Sequence, residues 1–149
     1  MSNVLQILIE QASEKADAMA KNMAKTQQKL AQGQEKLTML ESYRDDCQAG
    51  LHNQAATGLT GMQLRNQLAF VGKIAQAIEQ QQREIDFLTT TLCQQRAQWQ
   101  DALAEQRKYE ALVEREKLKQ TRLAAKRDQK MNDEFAARIY RVSTAGEPT

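Results

Sequence analysis

Gly58-Leu59-Thr60-Gly61-Met62-Gln63-Leu64 reads as a break between two helices and the start of the second. Thr60 and Gln63 have capping-box spacing, with Leu59 and Leu64 at the staple positions on either side, so Thr60 is the expected N-cap. Gly50 precedes this stretch, and the sole proline, Pro148, lies at the far end of the chain. Proline breaks helix interiors and clustered glycine punctuates them, so one turn here separates two long uninterrupted helices. The expected fold is all-α: an antiparallel two-helix coiled coil, that is, a long helical hairpin with a longer C-terminal helix. A single coiled-coil domain spans 1–149, with helix 1 over about residues 3–52, a turn at 53–59, helix 2 over 60–142 and a disordered tail at 143–149. Helix 1 stops either at Gly50 or at His52-Asn53.

The apolar pattern on either side supports this reading. Leu5, Ile9, Ala12, Ala16, Met19, Met23, Leu30, Leu37, Leu40, Cys47 and Leu51 alternate at three and four residues, with Thr26, Gly33 and Arg44 as interruptions. A mean spacing of about 3.5 residues keeps one stripe facing a partner helix along a left-handed supercoil. In helix 2 the matching line is Leu64, Leu68, Val71, Ala75, Ile78, Ile85, Leu92, Trp99, Leu103 and Val113, with polar gaps at Gln82, Arg96 and Gln106.

Composition agrees. Aromatic residues make up 5% of the chain and charged residues 27%, with Gln and Ala abundant, a bias typical of long helices. The net charge of +2, with both signs interspersed, is too balanced for a dedicated nucleic-acid binder. The longest apolar stretch, Val4-Leu5-Gln6-Ile7-Leu8-Ile9, is far too short to span a bilayer and resembles no signal peptide, so no membrane insertion is expected. A soluble cytoplasmic protein follows. Cys47 and Cys93 fall on distant parts of the hairpin and are expected to be free thiols.

The helices are unequal. About 50 residues of helix 1 reach ~75 Å, while about 80 residues of helix 2 reach ~120 Å. Pairing back from the turn leaves residues 110–142 without a partner in the chain. This overhang is rich in charge, including Arg122, Lys126, Arg127, Asp133 and Glu134, and it carries an apolar line of Met131, Phe135 and Ile139. A charge run can be a plain solvated face. Exposed apolar positions on an unpaired helix point instead to insertion into another structure.

No catalytic or metal constellation is present. His52 is the sole histidine, which removes histidine triads and multi-histidine zinc sites. Gly58 and Gly61 lack the following Gly-Lys-Ser/Thr of a phosphate loop. The chain is expected not to be an enzyme and to use no cofactor or metal.

A second stripe lies beside the seam. Lys36, Leu40, Tyr43 and Cys47 share one face of helix 1, and Phe70, Ile74, Ala77 and Gln81 repeat that spacing on helix 2. Together they form either a widened hydrophobic seam or a docking patch near the turn.

Leu37-x-x-Leu40-x-x-Tyr43, Phe70-x-x-x-Ile74-x-x-Ala77-Ile78, Trp99 and Asp128-Gln129-Lys130-Met131-Asn132-Asp133-Glu134-Phe135, in this order and spacing, resemble the FliJ family of bacterial flagellar type III export. The resemblance covers most of the chain. It implies a coiled coil similar to the central stalk of rotary ATPases, inserting into the hexameric flagellar export ATPase ring and promoting its assembly and ATP turnover. It also implies contact with the export gate subunit FlhA, escort of export chaperones, a monomer when free, and peripheral association with the cytoplasmic face of the inner membrane at the flagellar base. By the resemblance, the gate surface maps onto Lys36, Leu40, Tyr43, Cys47, Phe70, Ile74, Ala77 and Gln81. Cys47 stands where relatives commonly carry an aromatic, Lys36 where a glutamine occurs and Gln81 where a histidine occurs. Tyr43 and Phe70 are therefore the expected anchors. Arg122, Lys126, Arg127, Met131, Asp133, Glu134 and Phe135 are the expected ring contacts. The alternatives are the equivalent stalk of a virulence-type injectisome, a scaffold that homodimerises through residues 110–142, and, last, a nucleic-acid binder.

Overall fold

The computed structural model describes residues 2–146. Two helices account for nearly all of them: α1, Ser2–Thr57, and α2, Gly61–Ala145. The Thr60 amide donates to Gln63 Oε1 at 3.3 Å, and the Gln63 amide donates to Thr60 Oγ1 at 3.2 Å, a reciprocal capping box. The Leu64 amide donates to the Thr60 carbonyl at 3.0 Å, closing the first turn.

α1 passes through Gly50 and ends five residues later than the expected limit of 52. The terminator is Gly58, whose φ of +97° lies in the left-handed region that glycine enters without steric cost. Nothing crowds Gly50, and one glycine inside a run of good helix formers costs only about 1 kcal/mol. The connection is thus residues 58–60, shorter than the expected 53–59. At the other end α2 reaches Ala145, past the expected 142. The Ser143 and Thr144 hydroxyls there both donate back to the Tyr140 carbonyl at 3.0 Å. The expected disordered tail lies partly outside the described residues.

The chain groups into two compact units, Glu14–Ala102 and the described part of Met1–Ser13 with Leu103–Thr149. In the first, α1 folds back antiparallel on α2 across the short turn. On α1 the side turned inward is Ala16, Met19, Met23, Thr26, Leu30, Gly33, Leu37, Leu40, Arg44, Cys47 and Leu51, every one buried or half-buried. The register expected for α1 holds, its interruptions included. Thr26 is buried because its hydroxyl donates to the Asn22 carbonyl at 3.1 Å. Arg44 lays its stem on the seam and sends its guanidinium to Asp45 at 3.2 Å.

On α2 the inward row is Gln67, Val71, Ile74, Ile78, Gln81, Ile85, Leu88, Leu92, Gln95, Trp99 and Ala102. Half of it, from Val71 through Ile78, Ile85 and Leu92 to Trp99, is the expected line. The other half is displaced by one residue: Ile74, not Ala75, is buried, and Leu68 is exposed. Burying Ile74 in place of Ala75 removes about three more carbon groups from water, worth about 2 kcal/mol. Placing Gln95 inward in place of Arg96 also keeps a guanidinium out of the seam.

Gln81 shows how a polar seam residue is accommodated. Its Nε2 donates to the Gly33 carbonyl at 3.1 Å, and a Cβ built on Gly33 would lie 3.2 Å from that nitrogen. The missing side chain at position 33 makes room for the amide at position 81.

In the second unit Leu5 and Ile9 line a groove with Val113, Glu116 and Lys117. From Lys117 to Gly146 every residue is exposed. Unpaired helix thus begins about two turns later than the expected residue 110.

Candidate functional site

The gate-type stripe expected from the sequence divides in two. Ile74 and Gln81 are only 6% and 4% exposed, so they belong to the seam and not to an outer surface. Leu40, Cys47 and Ala77 are half-buried along its edge. Lys36, Tyr43 and Phe70 remain exposed. The cause is the register: the stripe shares the α2 row that runs through Ile74 and Gln81, so its inner half is core and its outer half flank.

The outer half is organised by its aromatics. Tyr43 and Phe70, one from each helix, meet edge to face with centroids 6.0 Å apart at 82°, while 50% and 47% of them stays exposed. Such a pair holds two large apolar surfaces in fixed orientation yet leaves roughly half of each for another molecule. On the turn side, Phe70 and Val71 border a shallow depression with Cys47, Gly50, Leu51, Gln54 and Gln67. On the other side, Lys36, Met39, Leu40, Tyr43 and Asp46 line a second depression. Met39 is among the most exposed apolar side chains in the protein and escaped the sequence reading. Its position four residues before Tyr43 was the available signal.

The second candidate region is the exposed end of α2. Arg122, Lys126, Arg127, Met131, Asp133, Glu134 and Phe135 all lie on continuous helix and all are exposed. Met131, Phe135 and Ile139 follow one another at four-residue steps, more than half of each facing solvent. Among the described residues the ion pairs are Arg44–Asp45 and Arg83–Glu79, so the charges of this segment are held in no pair. Tyr109, just before it, donates its hydroxyl to Glu105 Oε1 at 3.1 Å, and this hydrogen bond with the adjacent carboxylate charge raises its pKa. Among the described residues no cluster of metal-ligating side chains occurs. Cys47 and Cys93 are free thiols.

The family model of the flagellar FliJ protein matches residues 1–145, nearly the whole chain. The chain belongs to the FliJ family. A solved structure, that of a putative YscO homolog from Chlamydia trachomatis, superposes with a TM-score of 0.67, covering 97% of this chain and 94% of that one. At 12% identity this likeness shows the fold alone. No curated protein matches the sequence. As a FliJ-family member the chain is a component of the flagellar and type III protein export apparatus. Among the described residues, no helix of this FliJ-family chain is long and apolar enough to cross a membrane.

Proposed function

We propose that this FliJ-family chain is the non-enzymatic stalk of the flagellar export ATPase. In this reading the exposed end of α2 enters the hexameric ring, with the N-terminal segment of α1 beside it, and promotes ring assembly and ATP turnover. A stalk needs no active site, because it acts by contacting successive ring states with different free energies. The observation that carries the proposal is the run of wholly exposed helix after Glu116, with apolar Met131 and Phe135 beside charged Arg122, Lys126, Arg127, Asp133 and Glu134. A monomeric soluble protein has little reason to present such a helix unless something else covers it. The Tyr43–Phe70 pair, with Lys36, Leu40, Cys47 and Ala77 around it, is the proposed docking patch for the FlhA export gate. Ile74 and Gln81 support that patch from beneath. Escort of export chaperones and peripheral association with the inner membrane complete the proposal.

The test is ATP hydrolysis by the cognate export ATPase, titrated with the full chain and with a variant carrying Arg122→Glu, Lys126→Glu and Arg127→Glu. Stimulation by the parent that is lost in the variant, at equal helicity, supports ring insertion through this segment. Equal stimulation by both removes these residues from the contact. No stimulation by either, with an ATPase able to form hexamers, removes the stalk reading.

A further inference from the structure

One face of the exposed α2 segment has a character that ring insertion explains only at Arg122 and Lys126. Arg115, Lys119, Arg122 and Lys126 succeed one another at four, three and four residues. At about 100° per residue they stay within roughly a sixth of the helix circumference. Leu118 and Leu123 flank this row, and the six residues together line one shallow surface depression. The two leucines are 52% and 47% exposed. No acidic side chain lies within the row: Asp128 falls on the opposite side of the helix, Glu114 lies about 110° around it from the row's centre, beyond Leu118, and Glu116 is half-buried in the groove with Leu5 and Ile9. Asp133 returns to the same face, but two turns beyond Lys126 and past the depression. Met131 and Phe135 lie on the far side, so a partner covering them leaves the basic row open.

Basic side chains interleaved with exposed leucines, on a stretch of helix whose acidic residues lie elsewhere, match an anionic lipid interface. The leucines reach the acyl boundary while the long Arg and Lys stems lie along it and keep their charges among the phosphates. A nucleic-acid groove would leave the leucines without a favourable contact. We propose that the face formed by Arg115, Leu118, Lys119, Arg122, Leu123 and Lys126 docks on a membrane surface rich in acidic phospholipid, with the helix lying in the interface plane. Clusters of four or more basic residues on one helical face suffice for such attraction, each contributing about five-fold in affinity near the surface. The inference rests on the proposed peripheral association with the inner membrane and gives it a face and a lipid class. It does not depend on the stalk reading, although Arg122 and Lys126 serve both, so ring and membrane compete for them.

The experiment is co-sedimentation of the full chain with large vesicles of phosphatidylglycerol mixed with phosphatidylcholine, and with phosphatidylcholine alone, at physiological salt. Binding is expected to the anionic vesicles alone. The variant Arg115→Gln, Lys119→Gln, Arg122→Gln, Lys126→Gln should bind about 100-fold more weakly or worse, with unchanged helicity by circular dichroism, because all four positions are exposed. Leu118→Ser with Leu123→Ser should weaken binding about ten-fold and leave the preference for anionic vesicles. Failure of the parent to sediment with anionic vesicles, or parental binding by the Gln variant, overturns the proposal. Tighter binding to duplex DNA than to the vesicles also overturns it, assigning the face to nucleic acid. ATPase stimulation measured without lipid reads the stalk separately, so either idea can fail alone.

Discussion

Replacing Gly33 with alanine should destabilise the hairpin, although it swaps the poorest ordinary helix former for the best. On propensity alone, an interior Gly→Ala change gains about 1 kcal/mol. Position 33, however, faces Gln81, whose Nε2 lies 3.1 Å from the Gly33 carbonyl in a site that leaves Gln81 4% exposed. The added Cβ would sit 3.2 Å from that nitrogen and 3.5 Å from Ile85 Cγ1. The Gln81 amide must then give by a few tenths of an ångström, which strains its buried hydrogen bond to the Gly33 carbonyl, and a buried donor that loses its acceptor costs about 1–3 kcal/mol. The balance is a net loss of about 1 kcal/mol, which a urea titration followed by circular dichroism resolves as a lower midpoint at unchanged slope. Gln81→Leu gives the complementary sign. It leaves no orphan donor, and the Gly33 carbonyl keeps its place in the helical ladder, so stability should hold or rise. In the double variant the propensity gain of alanine at position 33 should reappear, giving a coupling of at least about 1 kcal/mol between the two sites. A Gly33→Ala protein more stable than its parent, or a cycle that closes additively, would refute the cross-seam hydrogen bond as the reason for glycine here.

Other changes test other parts of the molecule. Gly58→Ala should cost about 1 kcal/mol or more in the same titration, because Gly58 holds a φ of +97° that alanine resists. Thr60→Ala should cost about 1 kcal/mol by removing the acceptor of the Gln63 amide. Gln95→Met should stabilise the seam by about 1 kcal/mol, since Gln95 Oε1 is buried without a hydrogen-bond partner; a lower midpoint would mean that the oxygen is satisfied. Tyr43→Ala with Phe70→Ala should weaken binding to the purified FlhA cytoplasmic domain by about ten-fold or more while helicity stays within error. Parental affinity would return the pair to a structural role.

The α1 seam and the Thr60 cap were legible in the residues because both are written in strong signals: an unbroken three-four apolar alternation and a reciprocal Thr/Gln spacing. The α2 seam was half legible. Its shared row, Val71 through Ile78, Ile85 and Leu92 to Trp99, is apolar and easily found, but its other row contains Gln67, Gln81 and Gln95, which give no hydrophobic signal. Leu68 and Ala75 therefore draw the expected line one residue away, whereas Leu103 and Val113 are half-buried as that line requires. The same displacement puts Ile74 and Gln81 on the expected outer stripe with Phe70 and Ala77, whereas both are buried in the seam. A buried glutamine becomes readable only with its partner, and Gly33 had passed as a mere interruption. The end of α1 is hidden for a related reason: either glycine could end a helix, and what singles out Gly58 is its positive φ, which the residue type does not show. Met39 was missed because an isolated exposed apolar residue on a helix is ordinary.

The helix that continues from Lys117 to Ala145 with nothing packed on it has one more consequence. Starting a helix is the costly event, since several residues must be fixed before the first hydrogen bond forms, whereas lengthening one is close to neutral for each residue added. Here the starting cost falls on the packed turns around Tyr109 and Val113, so the exposed segment grows from a seed that never melts while those turns hold. Its far end can fray and regrow on the submicrosecond scale of helix–coil exchange without any new nucleation. A partner that grips Met131 or Phe135 therefore meets a segment already aligned, and needs to supply only the small propagation term to hold it.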